Sequence, residues 1–149
     1  MKPICIFLLS TIALFFSTAF SWSYLDNTPI VEVVITNIRN NKGNLVLGFY
    51  KDGKSFSKRT PFMSKVVEKT TMKNGIVKFS LPLPAGKYGI ALLDDENKNG
   101  KADYGFLLPI EGFGFSDYYH SGVLAPTFND FDFEVGNTDK SVTVKLKYM

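Results

Sequence analysis

Apolar residues recur at every second position in one short run after another, and residues that turn the chain close each run. Ile30 to Ile38 (IVEVVITNI) is rich in branched side chains, and Asn40-Asn41-Lys42-Gly43-Asn44 interrupts it before Leu45, Leu47 and Phe49 resume the alternation. Val66 to Met72 leads into Asn74-Gly75, a pair that tolerates positive φ at both positions and so signals a tight hairpin, with Val77, Phe79 and Leu81 on the return. Tyr88, Ile90 and Leu92 follow the turn Pro84-Ala85-Gly86; Phe131, Phe133 and Val135 form a sixth run, and Val142, Val144, Leu146 and Tyr148 a seventh. A period of two marks strands with one buried face, and no stretch after the leader sustains a helical period over about ten residues. Seven such runs predict an all-β, seven-stranded, two-sheet sandwich, with a partly open barrel as the less favoured arrangement.

The first residues obey a different rule. Lys2 is the only charge before Asp26, and Ile4 to Phe20 is almost wholly apolar. A positive head, an apolar centre and small residues at its end make a secretory signal. Ala19 and Ser21 take the small-residue positions for a cut before Trp22. An uncleaved anchor is the alternative, but the run sits at the lower limit of about 17 residues for a spanning helix. The expected organisation is therefore a signal over 1–21, a linker over 22–29 and a sandwich domain over 30–149. The expected location is outside the cytoplasm, periplasmic or secreted, with no membrane span once the signal is removed. Cys5 is the only cysteine and lies inside the signal. The processed chain of about 128 residues thus has no disulfide, and is long enough to bury a core without one.

Net charge is +3. The lysines alternate with acids, as in KDGKSFSKR and DDENKNGKAD, whereas a nucleic-acid binder gathers its basic residues on one face. No nucleic-acid partner is expected.

Between Asp94 and Asp130 the alternation stops, and this 94–130 interval is too long for a structureless loop in a small domain. It holds Tyr104, Phe106, Phe113, Phe115, Tyr118, Tyr119 and Phe128, more aromatics than a disordered linker carries, so it reads as a long ordered loop insertion. Flat rings can stack on a carbohydrate; packing of the loop against the sheet is the reading favoured by their number. Its sharpest feature is Asp95-Glu96-Asn97-Lys98-Asn99-Gly100-Lys101-Ala102-Asp103. Asp95, Asn97, Asn99 and Asp103 place side-chain oxygens at alternating positions, Lys101 can add its backbone carbonyl, and Gly100 permits a sharp turn. This is the front half of a calcium loop. The back half departs from that pattern, since Phe106 stands where a bidentate Glu belongs; Asp94, Asp117, Asp130 and Asp132 are the candidates for the missing oxygens. Asp, Asn and Gly also crowd into ordinary turns, so a weak Ca2+ site and a plain turn both fit.

His120 is the only histidine. A zinc site built from side chains needs several His or Cys ligands. Ser116 and Ser121 lie near His120 without a nucleophile-elbow motif, so no catalytic residue is assigned. Tyr88, just after Leu83-Pro84-Ala85-Gly86, stands where sandwich domains tie a corner to backbone through a tyrosine.

Three segments carry a resemblance: ITNIRNNKGNLVLGFY, LPLPAGKYGIALLDDENKNGKADYGFLLPIEGFGFS and APTFNDFDF. Together they resemble a bacterial family of small exported proteins, domain of unknown function number 2141, over nearly the whole chain after the leader. The resemblance implies an immunoglobulin/transthyretin-like sandwich outside the cytoplasm and brings no activity or ligand with it. The LPAGKY turn is similar to that of the regulatory β-domains of carboxypeptidases, which again speaks to fold alone. The expected function is an exported, non-catalytic binding or structural module of the cell envelope, with an envelope protein or a carbohydrate as partner. The alternatives are an envelope hydrolase using carboxylates and His120, and a subunit of an envelope assembly.

Overall fold

The computed structural model describes residues 28–101, 110–122 and 124–149. The expected signal over 1–21 and most of the linker lie outside them. Among the described residues eight strands form two sheets: β1 (Ile30–Thr36), β2 (Asn44–Tyr50), β3 (Met63–Glu68), β4 (Val77–Pro82), β5 (Gly86–Asp95), β6 (Gly112–Phe115), β7 (Asp132–Val135) and β8 (Lys140–Lys145). One sheet has the order β4-β1-β8, the other β3-β2-β5-β6, with β7 also on β5. The inward residues of the alternating runs make one core, including Val31, Val33, Ile35, Leu45, Leu47, Phe49, Ile90, Val142 and Val144, all fully buried. The sandwich expected from the alternation is the fold.

Seven of the strands fall on the seven runs, and the eighth, β6, corrects the expectation that no strand lies between Asp94 and Asp130. Its sequence is Gly-Phe-Gly-Phe. A Cβ on Gly112 would sit 2.3 Å from the Tyr148 ring, and one on Gly114 would sit 2.9 Å from the Lys145 carbonyl oxygen. The glycines therefore let β6 lie against the C-terminal segment. Phe113 and Phe115 point to the opposite face, as alternation along a strand requires. There they join Tyr50, Phe56, Tyr118, Phe128 and Phe131 in a second apolar cluster. The two sheets are stitched along this side: Phe113 and Lys147 exchange both backbone hydrogen bonds at 3.0 and 2.8 Å, and the Asp117 N–H donates to the Thr143 carbonyl. Asp117 Oδ1 in turn accepts from the Thr143 N–H.

The Asn74-Gly75 turn also departs from expectation. Asn74 and Gly75 do have positive φ, 52° and 72°, and Lys73 and Ile76 exchange hydrogen bonds across them. Yet β3 pairs with β2 and β4 with β1, so the turn joins the two sheets and forms no β3–β4 hairpin. The chain leaves the sheet after Glu68 into a 3₁₀ turn over Lys69–Thr71, in which Lys69 is buried. Two short helices complete the fold. Asp52 caps α1 (Gly53–Ser57) by accepting from the Ser55 N–H, and a Thr127/Asp130 capping box starts α2 (Phe128–Phe131). Tyr88 donates to the Pro84 carbonyl at 2.9 Å, the corner tie read from its position.

One edge of β5 is shared end to end. β7 takes Gly86–Gly89 and β6 takes Ala91–Asp94, leaving Ile90 at the junction. Ser116 fills it. Its N–H donates to the Ile90 carbonyl at 3.0 Å, its Oγ accepts from the Ile90 N–H at 2.8 Å, and its hydroxyl donates to the Phe131 carbonyl at 2.6 Å. Ser116→Ala orphans two buried backbone groups and is expected to lower stability by about 1–3 kcal/mol. The check is a urea melt with a lower midpoint and an unchanged slope. An unshifted midpoint would show that the junction does not need the hydroxyl.

Candidate functional site

A cluster of bonded polar residues gathers at one end of the sandwich, where the β1–β2 loop, the 3₁₀ turn, the segment after β5 and the C-terminus meet. Asp94 is the centre. It lies in β5 between Leu45 of β2 and Gly112 of β6, and its side chain has no exposure. A carboxylate so placed must be paired. Lys69 Nζ forms an ion pair with Asp94 Oδ1 and donates to the Asn40 carbonyl at 3.2 Å. The Tyr148 hydroxyl donates to Asp94 Oδ2 at 2.7 Å and accepts from the Arg39 N–H at 3.1 Å. Burial, and then this bond to a carboxylate, push the Tyr148 hydroxyl well above its ordinary pKa, so it remains a donor.

A second, more open layer surrounds this one. Arg39 stacks over the Tyr148 ring at 4.4 Å and donates through Nε to Glu96 Oε1 at 2.6 Å. The Asn40 amide donates to the same oxygen at 2.9 Å. The Glu96 N–H donates to the buried Glu111 carboxylate at 3.0 Å. Gly43 is packed on this segment so closely that a Cβ would sit 1.9 Å from the Asp95 carbonyl oxygen; its φ of 71° adds a second reason for glycine.

The predicted calcium-loop residues lie on the surface of this end. Asp95 is nearly buried and accepts from the Asn99 N–H through Oδ1 at 3.0 Å and from the Gly100 N–H through Oδ2 at 2.8 Å. Asn97 Oδ1 accepts from the Asn99 N–H at 2.9 Å, and Asn99 Oδ1 from the Lys101 N–H at 2.8 Å. Lys98 and Gly100 take positive φ. Asp95, Asn97, Asn99 and Lys101 thus share one turn built by successive side-chain-to-backbone bonds, while Asp103 lies outside the described residues. The four acids considered as supplementary ligands are engaged elsewhere. Asp94 holds Lys69 and Tyr148, Asp117 bonds Thr143, Asp130 caps Thr127, and Asp132 pairs with Lys87 at 2.6 Å. Among the described residues, no three His, Cys, Asp or Glu side chains group as a metal site would require.

Beside the turn is a cleft of about 370 Å³ lined by Asn41, Gly43, Asn44, Glu68, Lys69, Thr70, Met72 and Lys98. His120 is not among the lining residues; it packs among Phe113, Phe115 and Tyr118 and is 8% exposed, with no partner on Nδ1 among the described residues. Of the insertion's aromatics, Phe113, Phe115, Tyr118 and Phe128 pack together, whereas Tyr119 is half exposed with the Lys145 ammonium over its ring; Tyr104 and Phe106 lie outside the described residues. Sequence reading missed Lys69 and Tyr148, which looked like ordinary strand residues. The one available signal was a lysine and a tyrosine at apolar positions of their runs.

The fold and this end define an all-β sandwich module whose polar cluster knits loops together. The chain belongs to the family described as an uncharacterized protein conserved in bacteria (DUF2141), whose profile matches residues 33–143. No curated protein matches it, and no solved structure does. Among the described residues, no helix is long and apolar enough to cross a membrane.

The hydrogen bond from Arg39 holds the Glu96 carboxyl below its ordinary pKa, and the Asn40 amide adds to this against the opposing effect of burial. A depressed folded pKa contributes stability above the unfolded value, near 4.5, and that contribution is lost as pH falls through the folded value. Glu96→Gln is expected to remove about 1 kcal/mol at neutral pH and to flatten the acid limb. Urea melts from neutral pH into the acid range check this; parallel limbs in wild type and variant would contradict it.

Proposed function

We propose that the protein is an exported, non-catalytic binding or structural module of the cell envelope that meets its partner through the loop end. The observation that carries this is the division of labour there. Asp94, Lys69, Tyr148, Arg39 and Glu96 bond one another and brace the loops, while the adjoining cleft has Asn41, Asn44, Glu68, Thr70 and Lys98 on its walls. A rigid base under a polar rim suits recognition, since ordering costs are met on folding. The rim offers amides, a hydroxyl and both signs of charge, fitting an envelope protein or a carbohydrate. The described acids of the 94–130 insertion are engaged in ion pairs and in hydrogen bonds from backbone N–H groups, which is the support for a module without catalysis. Export rests on the leader.

The same reading gives the Asp95–Asp103 segment a weak calcium ion. Asp95, Asn97 and Asn99 already share a single turn of backbone, and a site with few charges and no bidentate Glu falls at about 10⁻⁴ to 10⁻³ M. At about ten times its dissociation constant, calcium would stabilise the fold by about 1.4 kcal/mol. The expected result is a rise in melting temperature in millimolar calcium that Asn97→Ala removes while leaving the calcium-free melt nearly unchanged. No rise in the wild type would retire the ion. For the module itself, cleft amides should shift in NMR titrations with envelope glycan fragments, or Lys98→Glu should abolish a co-purifying protein; turnover of an envelope sugar or ester that His120→Ala abolishes would overturn it.

A further inference from the structure

The Lys69–Asp94 contact is unlike the other ion pairs. Side-chain exposures are 1% and 0%, against 39% and 19% for Arg39 with Glu96 and 51% and 15% for Lys87 with Asp132. Nζ touches Oδ1, yet among the described residues Oδ1 receives no aligned hydrogen bond. The partners around the pair can be counted against what each chemical form needs. An ammonium has three donors and a carboxylate two acceptor oxygens, and burial makes every unmet group expensive. The described surroundings supply one acceptor, the Asn40 carbonyl, to Nζ and one donor, the Tyr148 hydroxyl, to Oδ2. One donor and one acceptor is the inventory of a secondary amide.

We propose that Lys69 and Asp94 condense into an intramolecular amide that covalently joins the 3₁₀ turn after β3 to β5. The ammonium passes one proton to Oδ1 in direct contact, giving a neutral amine and a carboxylic acid. The nitrogen lone pair then attacks Cγ, and charge develops on Oδ2, where the Tyr148 O–H is already aimed to stabilise it. A second proton moves from nitrogen to Oδ1, the Cγ–Oδ1 bond breaks, and Oδ1 leaves as water. One N–H stays on nitrogen and keeps its bond to Asn40; the new carbonyl keeps its bond from Tyr148. No oxidant or cofactor is consumed. The fold holds the reacting groups together, an advantage worth about 10⁵–10⁸ M in effective concentration, and their burial keeps water from reversing the step. Tyr148 is a catalytic residue in this step because it touches the reacting oxygen.

The test is mass spectrometry on the purified, denatured protein. The expected mass is lower than that of the linear chain by one water, and a protease digest should yield one branched peptide linking Lys69 to Asp94. Lys69→Arg and Asp94→Ala should restore the linear mass. Tyr148→Phe should reach the native circular dichroism signal on refolding while its mass loss lags behind that of the wild type. Recovery of the wild-type Lys69 and Asp94 peptides only as separate linear species overturns the proposal and leaves a buried ion pair; this readout needs no variant to fold.

Discussion

A carboxylate without access to water sits where β2, β5 and β6 meet, and the loop end is arranged around neutralising it. Asp94 draws Lys69 out of the line of β3 and draws Tyr148 back from the C-terminus. Removing one partner of such a buried pair typically costs about 3–5 kcal/mol, because the charge left behind is uncompensated. β3 ends at Glu68, opposite Asn44 where β2 begins, and in the turn that follows Lys69 reaches Asp94.

The placement of Tyr148 propagates further. Its ring needs the space that Gly112 leaves, and Gly114 lets the same strand approach Lys145. β6 can then bridge the two sheets while its phenylalanines cover the other face. Cys5 is the only cysteine, so neither of these connections can be a disulfide. The buried contacts of Asp94 with Lys69 and Tyr148 tie the loop end together instead.

Much of this was legible in the chain. The period-two runs gave the two-sheet architecture because burial of alternate residues is a local rule. Tyr88 could be placed at its corner because the turn before it fixes the geometry. β6 was not legible, since glycine at alternate positions erases the apolar signal of its inward face. The hairpin expectation failed because Asn74-Gly75 specifies a turn and says nothing about which strands its arms join. Of the Asp95–Asp103 motif, Asp95 to Lys101 form a turn held by side-chain-to-backbone bonds. The pairing of Asp94 with Lys69 and Tyr148 spans segments far apart in sequence, and no local pattern reports such a meeting. The α2 capping box, Thr127 with Asp130, was readable from spacing alone and was passed over among the aromatics.

If Asp94 is the constraint on which the loop end depends, loosening it should release several segments together. Hydrogen–deuterium exchange of Lys69→Met against wild type tests this directly. The account predicts faster exchange in Arg39–Asn44, Lys69–Met72, Asp95–Lys101 and Lys147–Met149 as one cooperative unit, with the β1 and β4 core unchanged. Faster exchange confined to Lys69–Met72 would contradict it.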